Sequence, residues 1–393
     1  MQGSDDISRM CNVSQDEVMC TIKNIRKWIL ANGKIAIICA GQNGYTFYRI
    51  LKLLEIDVDC VVDNNEGKWN QKVFDDISCY SPTMLSGRED YLTYICIAPQ
   101  CYSEIYEQAR SINILHIENV YDIMTDIVKN YKDIYFKMLS ELPYGRCFDF
   151  FYDSTRCFSG EEPMWLKIVN EKIAVYTSVF GDYDSVYEPR YLSDDIDYYF
   201  VSDKKPDNLK IYKWLDAKRY LPSDIENSID KNRYIKMHPH LLFPKYKYSV
   251  YIDGNVEVLK DMSVFVQKNK TGISVFKHPS RDDVYLEALA NAGRVNPQAL
   301  QLHMKRYMEE GFPRTYGMPE MRIIAREHNN PICIKVMEDW WKEFSVTNTK
   351  RDQLSFMYVM WKNGLGLKDL FLLGNDMWKC DYIAIHNHAN EVK

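Results

Sequence analysis

Short apolar runs recur along the chain, each trailed by a stretch whose apolar positions fall at helical spacing, and that alternation predicts an α/β protein. The segment "SQDEVMCTIKNIRKWILANG" reads as a leading helix within residues 1–33, with Ser14 as N-cap, Glu17 completing a capping box and Gly33 as the stop. Next, "KIAIICAGQNGYTFYRILKLLEIDVDCVVDNN" reads as strand, glycine turn, amphipathic helix and a second strand ending in Asp63, which is a βαβ unit. The runs "YLTYICIAP", "CYSEIYEQARS" and "INILHI" continue the alternation, so a small doubly wound domain is expected over 34–125. Helical spacing then runs through "VYDIMTDIVKNYKDIYFKMLSEL" until Pro, Gly and clustered aromatics break it, which predicts a helical connector over 126–170.

A second α/β domain is expected over 171–393. Its strands "EKIAVYTSVFGDYD", "IDYYFVSD" and "YSVYIDGNVEVL" are apolar until their ends, where acids appear. Burying a carboxylate costs several kcal/mol unless it is paired or metal-bound, so an apolar strand ending in "DGN" asks for an explanation. In open α/β sheets the carboxyl ends of the strands line the ligand crevice. That rule brings Thr177, Asp182, Asp184, Asp203, Asp253 and Asn255 towards one cleft. Lys277, His278 and Arg281 follow another strand, and Asp352 and Gln353 open the helix "DQLSFMYVMWK".

Composition narrows the function. The chain has 393 residues, 46% hydrophobic and 26% charged, the balance of a protein with a substantial core. A formal charge of −6 argues against nucleic acid as the main partner. Eleven cysteines, an odd count without a CxxC pair, fit free thiols in a reducing compartment. No apolar run approaches the ~18 residues needed to span a bilayer, and the first thirty residues do not read as a signal peptide. The expected location is the cytoplasm, with peripheral contact at the inner face of the membrane left open and the oligomeric state undefined.

The glycine turn "CAGQNGYTF" supplies Gly41 and Gly44 but not a full GxGxxG, so it reads either as a nucleotide site, with Asp63 holding a ribose hydroxyl, or as a tight strand-to-helix turn. This segment resembles the small Rossmann-like module of bacterial surface-polysaccharide proteins and sugar acyltransferases. Further on, "VYTSVFGDYD", "RYIKMHPHLLFPKYKYSVYIDGNVEV", "VFKHPSRDDVYLEA", "MRIIAREHN" and "WWKEFSVTNTKRDQLSFMYVMWK" together resemble the TOD/MUCI-type glycosyltransferase-like domain over about residues 172–362. The resemblance implies a type A glycosyltransferase-like, mixed-sheet fold, a nucleotide-sugar donor and a glycan or glycolipid acceptor, as in polysaccharide biosynthesis.

It also implies roles. Asp253-Gly254-Asn255 stands at the DxD position, where a divalent cation, Mn2+ or Mg2+, is held against the donor diphosphate, here with an amide in place of the second acid. His386 or His388 would supply a further metal ligand, against the alternative of an exposed tail. Thr177 and the loop Phe180–Asp184 would receive the nucleobase and ribose. Arg233, Lys236 and His238 would bind the diphosphate, although a solvated helix face explains the first two as well. Lys277, His278 and Arg281 would meet donor or acceptor, and Asp352, Glu287 and Glu320 are candidates for a general base, with a carboxylate capping the helix N-terminus the other reading of Asp352. Trp340 and Trp341 could stack on a sugar, but adjacent helical aromatics face different ways. Two other readings stay open: a sugar-modifying enzyme run by the first domain, and a non-catalytic glycan- or nucleotide-binding scaffold.

Overall fold

The computed structural model describes residues 21–141, 165, 167–181 and 184–387; Ser14, Glu17, Asp182 and His388 lie outside them. The chain forms two compact units, one of Met1–Cys157 with Tyr285–Met304, the other of Phe158–Val284 with Lys305–Lys393. The sequence reading takes 171–393 as one domain, whereas Tyr285–Met304 packs with the first unit.

In the first unit, α1 (Ile22–Leu30) is capped by the Thr21 side chain and precedes β1 (Lys34–Ile38), α2 (Gln42–Leu53) and β2 (Cys60–Val62). Then come β3 (Lys72–Phe74), β4 (Ile77–Tyr80), β5 (Tyr91–Ile95), α3 (Pro99–Ser111), β6 (His116–Glu118), α4 (Val120–Asn130) and α5 (Lys132–Glu141). The sheet order is β3-β4-β2-β1-β5-β6, parallel throughout except for the β3/β4 pair. Central β1, β2 and β5 are buried almost entirely, which is why they read as continuous apolar runs. The polar β3–β4 hairpin gave no such signal. Within this unit, Tyr135 Oη donates to Tyr285 O at 3.0 Å and Gln301 Nε2 to Phe136 O at 2.7 Å, fastening the segment that carries Glu287.

The glycine turn is built tightly from within. Asp63 Oδ2 accepts from Ala40 N at 2.7 Å and Lys68 Nζ at 3.0 Å, and Oδ1 accepts from Asn65 N at 2.9 Å. Burial works against the Asp63 charge, but these hydrogen bonds overcome it and hold the carboxyl below its usual pKa. A Cβ on Gly44 would lie 1.9 Å from Cys39 O, whereas one on Gly41 would meet nothing nearer than Cys39 Sγ at 3.4 Å. Gly44 therefore lets the helix start against the strand end, and Asp63 clamps the turn.

The second unit places β7 (Ile173–Ser178), β8 (Ile196–Ser202), β9 (Lys213–Asp216), α6 (Ser228–Met237), α7 (Pro239–Leu242), β10 (Ser249–Ile252), β11 (Val256–Val258) and β12 (Ile273–Lys277) in succession. After α8 (Val284–Asn291) and α9 (Pro297–Glu309) follow β13 (Pro319–Arg326), α10 (Pro331–Thr347), α11 (Gln353–Lys362), β14 (Phe371–Leu372) and β15 (Ile383–Ile385). The main sheet runs β14-β12-β13-β10-β7-β8-β9, with β13 alone antiparallel to its neighbours. This is a mixed, mostly parallel α/β sheet. The stretch read as one strand, 248–259, divides at the DGN turn: β10 stays in the main sheet and β11 pairs with β15 in a separate ribbon.

Gly44→Ala should destabilise the protein by about 1–3 kcal/mol, the usual cost of forcing a methyl into filled space. Gly41→Ala should be tolerated. Urea titrations of both variants followed by circular dichroism check this; equal midpoints would contradict the packing argument.

Candidate functional site

The direction of the strands gathers one edge of the second unit. The carboxyl ends of β7, β8, β10, β12 and β14 share it, and the antiparallel β13 brings its amino end, Pro319 and Glu320, to the same side. Ligands in such sheets sit at the topological switch point, where successive strands move to opposite sides. Here β8 lies on one side of β7 and β10 on the other, so that rule points to the loop after β7 and the DGN turn after β10.

Those two segments touch. A Cβ on Gly254 would fall 2.7 Å from Val179 Cγ2 and 3.1 Å from Asp184 Oδ2, so only glycine admits Asp184 so close to the turn. Thr177 and Phe180 are buried, and the Thr177 hydroxyl has no hydrogen-bond partner among the described residues. Asp203 pairs with Lys231 at 2.8 Å on the neighbouring strand end.

Behind Asp253 lies a buried charge cluster. Asp352, at the N-terminus of α11, pairs with Lys236 Nζ at 2.7 Å and with Arg233 Nε at 3.0 Å, both one turn apart on α6. Lys236 is 2% exposed, and its ammonium also stands 3.8 Å from Asp253 Oδ1 and over the rings of Tyr251 and Trp340. Burial alone would raise the Asp352 pKa, but the charges of Arg233 and Lys236 outweigh it and hold the carboxyl well below the usual range. Burial likewise opposes the charge on Arg233, yet Asp352 and Asp253 keep its pKa above the usual guanidinium value. A carboxylate held so acidic is a poor proton acceptor near neutrality. Asp352 is built to hold the cations.

The remaining residues divide. Gln353 Nε2 donates to Pro319 O at 3.2 Å, tying α11 to the shared edge. His278 Nδ1 accepts from Ser280 N at 3.2 Å and Arg281 N at 3.0 Å, so this histidine shapes the turn after β12 that follows Lys277. His238 departs from its expected place by the diphosphate. It is 2% exposed, stacked on Tyr234, hydrogen-bonded through Nδ1 to Tyr234 O and 3.6 Å from Glu338, which is a position in the helical packing. Burial pushes its pKa down to about 4. Glu287 also leaves the site: it is 2% exposed, bonded to Asn291 and part of the first unit. Trp340 is fully buried and donates to Asp352 O, while Trp341 packs against Tyr234.

Asn255 is 1% exposed; its Nδ2 donates to His386 O at 2.8 Å, and its Oδ1 is buried without a hydrogen-bond partner among the described residues. His386 joins the site by its backbone, since its Nε2 lies 2.9 Å from Glu257 and its ring stacks on Tyr187 at 4.0 Å. Arg190 closes the Glu257 pair on the other side. Among the described residues no three His, Cys, Asp or Glu side chains gather into a metal-holding group. The oxygens of Asp253, Asp184 and the unpartnered Asn255 amide nonetheless suit a hard cation, which takes carboxylates, carbonyls, water and phosphate.

Arg322 is a site residue that sequence reasoning missed. Its carbonyl accepts from Asp253 N at 2.9 Å, and its guanidinium lies 3.6 Å from Glu320. A register irregularity explains its place: between Val275 and Phe276 of β12 the partner strand advances from Ile324 to Glu320, leaving Arg322 unpaired on that side. Alternation within "MRIIAR" was the available signal.

The fold and edge together define a mixed α/β domain with acidic and cationic side chains at its switch point. Residues 225–385 match the family model described as TOD1/MUCI70, glycosyltransferase-like domain, starting and ending later than the span read from the sequence. Two curated Arabidopsis thaliana proteins are similar: "Probable hexosyltransferase MUCI70", 28% identical over 217 residues (48% of this chain, 37% of that protein), and "Alkaline ceramidase TOD1", 24% identical over 230 residues (48% of each). The chain thus matches less than half the length of either relative. A solved mouse xyloside xylosyltransferase superposes at a TM-score of 0.32 and 7% identity over 51% of this chain and 84% of that one, too loosely to transfer site geometry.

Asp352→Asn should cost about 3–5 kcal/mol, because it strands two buried cations. The stability from the Asp352 charge is fully present above its unfolded pKa of about 3.9 and is lost as the pH falls through its lower folded value. Urea midpoints across acid pH should therefore fall less steeply in Asp352→Asn than in the wild type. Parallel acid limbs would contradict the depressed pKa.

Proposed function

We propose that the second unit transfers a glycosyl group from a nucleotide-sugar donor to a glycan or glycolipid acceptor. The observation that carries this reading is the meeting of the post-β7 loop with the DGN turn, Asp184 against Gly254, in front of the Lys236–Asp352–Arg233 cluster. The match of residues 225–385 to a glycosyltransferase-like domain supports it.

In this reading the nucleoside lies towards the loop after β7, and the diphosphate lies at Asp253. Transfer breaks the bond between the anomeric carbon and the diphosphate while the acceptor oxygen forms a new one. Negative charge grows on the departing phosphate, so preorganised cations lower the barrier. Lys236 and Arg233, fixed by Asp352, place positive charge behind Asp253, and Arg322 stands beside it. Asp253, Asn255 and Asp184 would hold a divalent cation, which when bound supplies further neutralisation of the diphosphate. In this reading Glu320, beside Arg322 on the shared edge, takes the acceptor proton, while Asp352 holds its cations.

The test is a thermal-shift screen of the four common nucleoside diphosphates with and without Mn2+. A ligand at about a hundred times its Kd stabilises the folded state by about 2.7 kcal/mol. One nucleotide should raise the melting temperature of the wild type in a Mn2+-dependent way and leave Asp253→Ala unmoved, with Asp63→Ala responding like the wild type. A response lost in Asp63→Ala but kept in Asp253→Ala would move the nucleotide to the first unit and overturn the proposal.

A further inference from the structure

We infer that Trp378 is the platform on which the acceptor sugar stacks; this rests on the glycosyl-transfer reading above and names a residue that selects the acceptor. Trp378 is 57% exposed, an unusual state for the largest apolar side chain. Its place is fixed. The carboxylate of Asp376 accepts from Trp378 N at 3.0 Å, and Gly374 O accepts from Lys277 N at 2.9 Å, which holds the segment after β14 to the shared strand edge.

The Arg322 guanidinium lies over the Trp378 ring, 5.2 Å from its centroid, and the Arg322 carbonyl is the acceptor for Asp253 N. One residue therefore connects the indole to the DGN turn. The guanidinium is itself drawn towards Glu320 at 3.6 Å, so cation, carboxylate and aromatic surface stand together.

Sheet order says which substrate this surface serves. Trp378 follows β14, at the end of the order β14-β12-β13-β10-β7-β8-β9, while the crevice for the nucleoside lies between β10 and β7. The donor diphosphate at Asp253 separates the two. A group arriving on the β14 side meets the anomeric carbon from the side away from the nucleoside, the side from which an acceptor attacks when the sugar is transferred with inversion. An exposed indole offers a flat apolar face with a polar N–H edge, which suits the apolar face of a hexopyranose ring. The ligand class is therefore a neutral hexose glycan.

The test compares wild type, Trp378→Phe and Trp378→Ala by calorimetric titration with short neutral hexose oligosaccharides, and separately with nucleoside diphosphates plus Mn2+. The expected result is oligosaccharide binding by the wild type, weakened about tenfold in Trp378→Ala and mostly kept in Trp378→Phe, with nucleotide affinity equal in all three. Equal glycan affinity in wild type and Trp378→Ala, or no glycan binding by the wild type, would overturn the platform. Nucleotide binding with its Asp253 dependence reports on the glycosyl-transfer reading independently. Because the side chain is largely in solvent, both variants should melt with the wild type.

Discussion

The Asp352 carboxylate, closed between Lys236 and Arg233, is the interaction on which the rest of the site depends. Two cations on one buried face of α6 would be prohibitively costly without a counter-charge. Asp352 supplies it from the start of α11, and Trp340 of α10 donates to its backbone carbonyl, so three helices meet at one residue. Arg326 locks the other end: it is fully buried, donates to Lys236 O at 2.8 Å and to Tyr176 Oη at 2.6 Å, and so fixes the end of α6 against β7. The result is an ammonium held 3.8 Å from Asp253 without freedom to swing away. Apolar groups in its place would often cost no stability, and a charged cluster next to a strand-end carboxylate is what the proposed transfer from a diphosphate donor would use.

The DGN turn is held as firmly from the opposite side. Asn255 exchanges backbone and side-chain hydrogen bonds with His386, and the Arg190–Glu257–His386 network pins the ribbon of β11 and β15 that continues from the turn. The strand that begins in the core and the ribbon that leaves it meet at Asp253, whose N–H is taken by the bulged stretch of β13. Rigid support of this kind fixes where the Asp253 carboxylate stands. The burial of an acid at the end of an apolar strand thus follows from its partners.

Much of this architecture was legible in the sequence. The runs at β1, β5, β7, β8, β10 and β12 are visible because parallel strands buried on both faces carry continuous apolar residues. The polar β3–β4 hairpin was not, and neither was the reversed direction of β13, because an apolar run carries no sign of its orientation. The acids at strand ends marked the crevice, but the partner of each did not show: Asp352 and Lys236 lie 116 positions apart, and His386 and Glu257 lie 129 apart. For that reason Asp352 reads from the sequence as a base or a helix cap and not as the counter-charge of two cations, and Arg322 is hidden in an alternating strand. Glu287 sat in a helix whose membership of the first unit no local pattern reveals.

The most direct measurement is a crystal structure of the protein with Mn2+ and the nucleoside diphosphate selected by binding, recorded with anomalous scattering from the metal. The account predicts a manganese peak coordinated by Asp253, with the diphosphate in the crevice between the loop after β7 and the DGN turn and Lys236 still paired to Asp352. A nucleotide bound at the Gly41–Gly44 turn, or a manganese peak away from Asp253, would contradict it.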